Sequence, residues 1–353
     1  MTIAFYAPLK APDHPVPSGD RAMARALMSA LAHAGYGVEL ASKLRIYDGQ
    51  GEVETQNALT KEAEAEARTI IARAPDWQLW LTYHNYYKSP DLIGPRVSAA
   101  LNIPYVQIES TRASKRLTGP WAGFAAAAEA ASDAADTILF FTERDAQTLR
   151  RDAPYGQTLT HLHPFLDRSD LPGASDLSGP LLTVAMMRQG DKTASYAIIA
   201  DALSAIPGSI PWQLDIVGDG ANATDIKPFF APFGDRVKWL GVLDAGALAE
   251  KYTKARALVW PGVNEAFGMV YLEAQAAGVP VIAQDRPAIR EIIATSQPAT
   301  QAGPQALAAR IAEIWSDDTA ARTAAATGRN AMTQNHLLPH AATTLRTAIE
   351  AAL

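Results

Sequence analysis

The sequence contains no cysteine in 353 residues. That excludes a disulfide framework and any metal site built on thiolates. No apolar run approaches the roughly 18 residues that a membrane-spanning helix needs. Basic charge is not in excess either. The 31 Lys and Arg stand against 37 Asp and Glu, for a net charge of −6. The two signs are interspersed, which argues against a nucleic-acid partner needing a broad basic surface. Met1 to Leu9 has no basic leader and reads as a short strand, not a signal peptide. The expected setting is cytoplasmic, at most peripheral to the inner face of a membrane. What the chain does have is 48% hydrophobic residues and length beyond a single typical core. Two domains are therefore expected.

Short apolar runs alternate with amphipathic segments throughout, the mark of an α/β chain with parallel sheets. Thr2–Ala7 reads as a strand and Pro8–Gly19 as a loop. A helix follows over Asp20–Gly35 and a strand over Val38–Ala41. A helix is expected over Glu62–Arg73, then a strand over Trp77–Thr82 that delivers Tyr83, His84 and Asn85 at its C-terminal edge. Ligands of open α/β sheets bind at such edges. Further strands are read over Pro104–Glu109 and Asp136–Thr142. His161 and His163 alternate on one strand face, but no third ligand is near them, so a metal site is not read there. A first domain over 1–170 and a linker over 171–180, rich in Pro, Gly, Ser and Asp, are expected. A second domain over 181–335 and a terminal helical segment over 336–353 complete the division. Helices are placed at Ser195–Leu203 and Leu248–Ala255, and from Glu291 onward.

The densest chemistry lies between Ala257 and Ala283. Ala257–Trp260 is a buried strand, broken by Pro261-Gly262. Asn264–Gly268 is a loop leading into a helix from Met269 to Ala277, which Gly278 and Pro280 stop. Val279–Ala283 is the next strand, so the unit is a βαβ crossover. Glu265 lies in the loop and Glu273 in the helix, with seven residues between them. Backbone N–H groups around Phe267, Gly268, Met269 and Val270 point out of the helix N-terminus, a natural anion seat. Gly268 lets a phosphate approach its backbone. An anion seat flanked by two acids suits the hydroxyls and diphosphate of a nucleotide sugar.

This stretch resembles the signature of the retaining GT-B glycosyltransferases, family 4 (glycosyl transferases group 1). Their pattern is roughly P-S-x-x-E-G-F-G followed by E-A-x-A-x-G-x-P-V. Here it stands as Pro261 to Gly268 and Glu273 to Val281. Gly262 replaces the usual Ser and Ala266 the usual Gly. The resemblance implies two Rossmann-like domains facing a central cleft, with the terminal helix crossing back to the first domain. It implies a metal-independent, retaining hexosyltransferase with no cofactor, using a nucleotide diphosphate sugar as donor and a hydroxyl acceptor. Glu265 would hold the hexose hydroxyls and Glu273 the ribose hydroxyls.

The resemblance also assigns roles outside the signature. His84 would contact the donor hexose or the acceptor, and Gly19 would face the diphosphate. Lys192 would stabilise the leaving diphosphate. The family's arginine beside it has no match in register, and Arg188, one place later, is the nearest candidate. Gly218 opens a sharp turn near the nucleotide, and Val242 ends a run that meets the base through backbone.

Three other readings remain at this level. Another GT-B enzyme, such as an epimerase or phosphorylase, is one. An NAD(P)-dependent oxidoreductase would rest on Gly218 to Ala223, which match G-x-G-x-x-[GA]. A non-catalytic nucleotide-sugar-binding subunit is the third. Arg112, Lys115 and Arg116 near Trp121 read as a solvated loop or as a docking patch for an anionic, lipid-linked or cell-envelope acceptor. Nothing in the sequence sets the oligomeric state.

Overall fold

The computed structural model describes residues 1–16, 18–73 and 75–353. The chain forms two compact units, residues 1–169 with 337–353, and residues 170–336. In the first unit, strands and helices alternate as β1 (Thr2–Tyr6), α1 (Gly19–His33), β2 (Gly37–Leu40), α2 (Val53–Arg73) and β3 (Leu79–Asn85). Then come α3 (Gly94–Leu101), β4 (Tyr105–Ser110), α4 (Ala122–Ala134), β5 (Thr137–Phe140), α5 (Glu143–Asp152) and β6 (Thr158–His161). Among the described residues the sheet has six strands, all parallel, in the order β2-β1-β3-β4-β5-β6. The order reverses between β1 and β3, which is where a doubly wound sheet opens a ligand crevice.

The central strands are buried along nearly their whole length because helices cover both faces of a parallel sheet. α1 turns Met23, Ala24, Leu27, Ala30 and Leu31 inward at helical spacing.

The second unit runs β7 (Leu181–Val184), α6 (Asp191–Ser204), β8 (Leu214–Val217), α7 (Ala223–Phe230), β9 (Val237–Gly241) and α8 (Ala245–Tyr252). It continues with β10 (Ala257–Val259), α9 (Met269–Ala276), β11 (Val281–Ile282), α10 (Pro287–Arg290), α11 (Gly303–Ser316) and α12 (Asp318–Asn335). Its sheet, again parallel, has the order β11-β10-β7-β8-β9 among the described residues. The last helix, α13 (Leu338–Ala352), packs on α1 within the first unit. There the Arg346 guanidinium donates to the Ala34 carbonyl at 2.9 and 3.1 Å, satisfying an orphan acceptor at the end of α1.

Several boundaries differ from the sequence reading, each for a local reason. α2 begins at Val53, not Glu62. Its first turn lacks apolar periodicity. It is organised instead by Asp48, whose carboxylate accepts the N–H groups of Gln50, Gly51 and Glu52 and the Gln56 amide. The unassigned α3 is held by Asp91, which accepts from the N–H groups of Ile93 and Gly94. α6 begins at Asp191, four residues before the expected Ser195, so Lys192 lies in its first turn and not in a loop. Glu291 ends the short helix α10; it does not open one. Residues 171–180 are tied to the second unit by Ser175 N–H to Ala277 O, Asp176 N–H to Thr253 O and Gly179 N–H to Lys254 O. Among the described residues, no helix is long and apolar enough to cross a membrane.

Candidate functional site

The signature stretch folds as strand β10, loop 260–268 and helix α9. Two glycines make that loop possible. Gly262 has φ +74°, and a Cβ there would fall 2.3 Å from both Ile289 Cδ1 and the Tyr271 hydroxyl. That space is needed because the Tyr271 hydroxyl donates to the Trp260 carbonyl at 3.0 Å, closing the turn after β10. Gly268 has φ +65° and is the N-cap of α9, with a Cβ there only 2.7 Å from the Tyr271 ring. No side chain caps the helix, so the first-turn N–H groups at Met269 and Val270 face outward beside buried Phe267.

Glu265 is held from two sides. The Trp260 indole N–H donates to its Oε1 at 3.0 Å, and the Lys192 ammonium pairs with the same oxygen. Lys192 Nζ also lies 5.1 Å over the Trp260 ring. Both partners of the ion pair are mostly buried. The first turn of α6 grips the loop further. Asn264 Nδ2 donates to Asp191 Oδ1 at 2.9 Å, and the Val263 N–H donates to Ser195 Oγ at 3.2 Å. The lysine and the glutamate that the sequence places 73 residues apart are therefore one cluster. On α9, Glu273 is half-buried and accepts from the Tyr252 hydroxyl at 3.2 Å. Burial raises its carboxyl pKa, and the Tyr252 hydrogen bond pulls it back.

Gly218 has a packing explanation. With φ +128°, its Cβ would sit 2.0 Å from the Ala185 carbonyl oxygen. The backbone of 185–187 runs against 217–219, with Ala185 N–H to Val217 O and Met187 N–H to Asp219 O. The glycines of the G-x-G-x-x-[GA] match thus serve close backbone approach within the unit, which weakens the case for a dinucleotide fingerprint. Arg188 is exposed on the following loop, where its carbonyl accepts from Thr193 Oγ1. It does not join the Lys192–Glu265 cluster. Val242 is 78% exposed just after β9.

In the first unit, Gly19 is the first residue of α1, not the end of a loop, and a Cβ there would meet nothing within 4 Å. Neither conformation nor packing demands glycine at that position. Ser18 caps the helix by accepting the Arg21 N–H. His84 lies near the end of β3 with φ +72°. Its Nδ1 is 3.7 Å from Asp20 Oδ1 and 3.6 Å from Glu109 Oε2. Glu109 also has positive φ, +58°. Two neighbouring non-glycine residues in left-handed backbone mark a locally strained edge. His84 Nδ1 and Glu109 Oε2 are both buried without a hydrogen-bond partner. Burial lowers the imidazole pKa, against the pull of Asp20 and Asp145. Burial raises the Glu109 carboxyl to about 8, with Asp20 and Asp145 adding to it and a Tyr83 hydrogen bond opposing it. Sequence reasoning missed Glu109 and Asp20. Only the placement of Glu109 beside the end of a strand was visible, and its strain was not.

Residues 181–317 match the family model of glycosyl transferases group 1. An exopolysaccharide phosphotransferase of Streptomyces coelicolor is 33% identical over 163 residues, 43% of this chain and 16% of that protein. A GDP-mannose-dependent alpha-mannosyltransferase of Mycolicibacterium smegmatis is 37% identical over 82 residues, 23% of this chain and 21% of that protein. The chain spans no more than about a fifth of the curated relatives it matches. Likeness to solved structures covers the whole chain. Sucrose-phosphate synthase from Thermosynechococcus elongatus superposes with a TM-score of 0.73 at 20% identity, over 99% of this chain and 98% of that one. Anabaena HepE in complex with UDP gives 0.71 at 15% identity, over 99% and 100%. The match to the glycosyl transferases group 1 model thus falls within the second unit, and the chain has the GT-B fold of two Rossmann-like units.

Proposed function

We propose that this chain is a retaining, metal-independent glycosyltransferase that moves a hexose from a nucleotide diphosphate sugar to a hydroxyl acceptor. The observation that carries the reading is the Lys192–Glu265–Trp260 cluster beside the uncapped N-terminus of α9. As the glycosidic bond breaks, negative charge grows on the leaving diphosphate. Lys192 and the N–H groups of Met269 and Val270 are fixed dipoles and charges that would stabilise it. Arg188, exposed nearby in sequence, would join when the diphosphate is bound.

Both contacts of Glu265 fall on Oε1, which leaves Oε2 to accept from the hexose hydroxyls. Glu265 is then a positioner of the sugar, and the departing phosphate takes the acceptor proton in a front-side attack. Glu273 would hold the ribose hydroxyls, its burial making a hydrogen bond there stronger than in water. His84 would be the first unit's contribution at the hexose or acceptor. Relatives named as sugar transferases and a structural neighbour described with bound UDP support a nucleotide-sugar donor.

A thermal-shift panel of UDP-, GDP- and ADP-sugars tests the reading, since a ligand that binds the folded state raises its melting temperature. One nucleotide class is expected to shift the wild type. Glu273→Ala is expected to lose roughly tenfold in affinity for it, the equivalent of a single lost charge-assisted hydrogen bond. A shift with NAD or NADP and none with any nucleotide sugar would overturn the proposal.

A further inference from the structure

The basic and aromatic stretch Arg112 to Trp121 reads in the sequence as either a solvated loop or a docking patch for an anionic acceptor. The structure divides it. Arg112 is buried and paired with Glu129 and Asp133, so it is a structural ion pair. Arg116 is exposed, and its guanidinium lies 5.0 Å from the Tyr87 ring centroid and 5.4 Å from that of Trp121. Lys88, from a different loop, lies over the same two rings at 5.8 and 5.2 Å. Among the described residues, neither cation has a carboxylate partner. Two like charges held over one pair of rings, with nothing to neutralise them, form a seat for an anion.

The rings do not stop there. Trp121 meets Tyr87 edge to face at 5.8 Å, Tyr87 meets Tyr86 at 5.6 Å, and Tyr86 meets His84 at 4.9 Å. A continuous aromatic row thus runs from the His84–Glu109–Asp20 cluster to the two cations. It is built on the loops that leave the C-terminal ends of β3 and β4, the ligand edge of the sheet.

The row is also pinned. Trp121 Nε1 donates to the Asp48 carbonyl at 3.0 Å, and the Asp48 N–H donates to the Lys88 carbonyl at 2.9 Å. Residues 86–89 form a tight turn with paired backbone bonds between Tyr86 and Ser89, whose hydroxyl donates to the Ile46 carbonyl. Gly51, at φ +80°, lets the segment after Asp48 press against Pro120 and the Trp121 ring. The Trp121 ring and the 86–89 backbone, fixed in this way, have little freedom left to lose when a ligand arrives.

We infer that this row is the acceptor subsite of the first unit and that it takes a sugar bearing a phosphate. The sugar ring lies along Tyr86 and Tyr87, its hydroxyls meet the partly exposed Asp20 carboxylate and the His84 ring, and the phosphate rests between Lys88 and Arg116. A carboxylate at one end and cations at the other fix the direction of the ligand. The inference deepens the proposed transferase activity and rests on it for the word acceptor, not for the binding.

The test titrates the full-length protein with glucose, glucose 1-phosphate, glucose 6-phosphate and inorganic phosphate, read by tryptophan fluorescence and calorimetry. Vesicles of phosphatidylcholine carrying equal charge as phosphatidylinositol or phosphatidylglycerol form a second arm. A sugar phosphate is expected to bind roughly tenfold or more tightly than glucose or phosphate alone, and the K88A/R116A double variant to lose that margin. Tyr87→Ala is expected to weaken the sugar phosphate without changing inorganic phosphate. If phosphatidylinositol vesicles bind better than phosphatidylglycerol ones, the phosphorylated sugar is a lipid headgroup; with no such preference, it is a soluble compound. Equal affinity in wild type and K88A/R116A overturns the inference. So does binding of inorganic phosphate as tight as that of any sugar phosphate. Vesicle binding that follows charge alone, without sugar-phosphate binding, makes the patch a membrane contact and also overturns it. The nucleotide-sugar thermal shift is measured on the same variant and is expected to be unchanged. Its loss in the wild type would strike the proposed function and leave the subsite result standing.

Discussion

The polar clusters of the two units are built in opposite ways. In the second unit Glu265 is paired with Lys192 and bonded to Trp260, and the loop around it is stitched to α6 by Asn264 and Val263. In the first unit His84 and Glu109 face each other across 3.6 Å with buried, unpartnered atoms and left-handed backbone at both residues. A satisfied cluster is rigid before its ligand arrives. An unsatisfied one holds free energy that a ligand with matching donors releases. The difference is between a cluster whose polar groups are already satisfied and one that keeps buried polar atoms unpaired.

The largest expected effect breaks the paired cluster. Glu265→Ala should lower kcat by about a thousandfold if Glu265 orients the hexose in the transition state. It should leave much of the nucleotide-sugar thermal shift intact. It also leaves Lys192 without its partner, at a cost on the order of 3 kcal/mol by denaturant unfolding. Unchanged transfer would remove Glu265 from the mechanism.

A pair of glycines sharpens the comparison next. Gly218→Ala should destabilise the chain by about 3 kcal/mol, because the new Cβ meets backbone that has no way to rotate aside. Gly19→Ala, in open space at the start of α1, should change stability by about 0.5 kcal/mol or less. If Gly19→Ala nonetheless weakens ligand binding, its glycine serves ligand approach. Equal destabilisation by the two substitutions would contradict the packing described for them.

The smallest effect concerns the unpartnered cluster and is read as a pH profile. The Glu109 carboxyl sits at about 8 in the folded chain, above its unfolded value. The folded state therefore holds a proton that the unfolded state has released, and stability falls as pH rises through that window and levels off above it. Glu109→Gln removes the effect. Its unfolding free energy should exceed that of the wild type at pH 8 by about 1–2 kcal/mol, allowing for the carboxyl's partial exposure, and the gain should vanish near pH 4. His84 works with the opposite sign, since burial lowers its pKa and its contribution is lost as pH falls below the unfolded imidazole value. A gain from Glu109→Gln that does not depend on pH would mean that the carboxyl is ionised throughout.

Much of the second unit's candidate site was legible along the chain because its parts are local. Pro261 to Val281 carries strand, loop, acid, helix start and stop within about twenty residues, and only the backbone path between them had to be inferred. Lys192 was legible as a cation but not as the partner of Glu265, because that pairing joins α6 to the loop after β10. Arg188 is the nearest candidate for the family's arginine, and the structure leaves it exposed on its loop. The start of α2 was illegible for a similar reason, since Asp48 and Gln56 replace apolar periodicity with hydrogen bonds.

The sequence by itself determined the α/β class and the two-unit chain, and it singled out Glu265 and Glu273, since these follow from periodicity and short-range spacing. Tertiary structure alone decided which charges meet. It joined His84 to Asp20 and Glu109 from three separate elements, and it set Lys88 and Arg116 over one pair of rings while burying Arg112 in an ion pair. The physical reason is that strand order, unlike strand content, is settled by long-range pairing. The groups gathered at a sheet's edge come from loops that are distant in the chain and adjacent only once the sheet has formed.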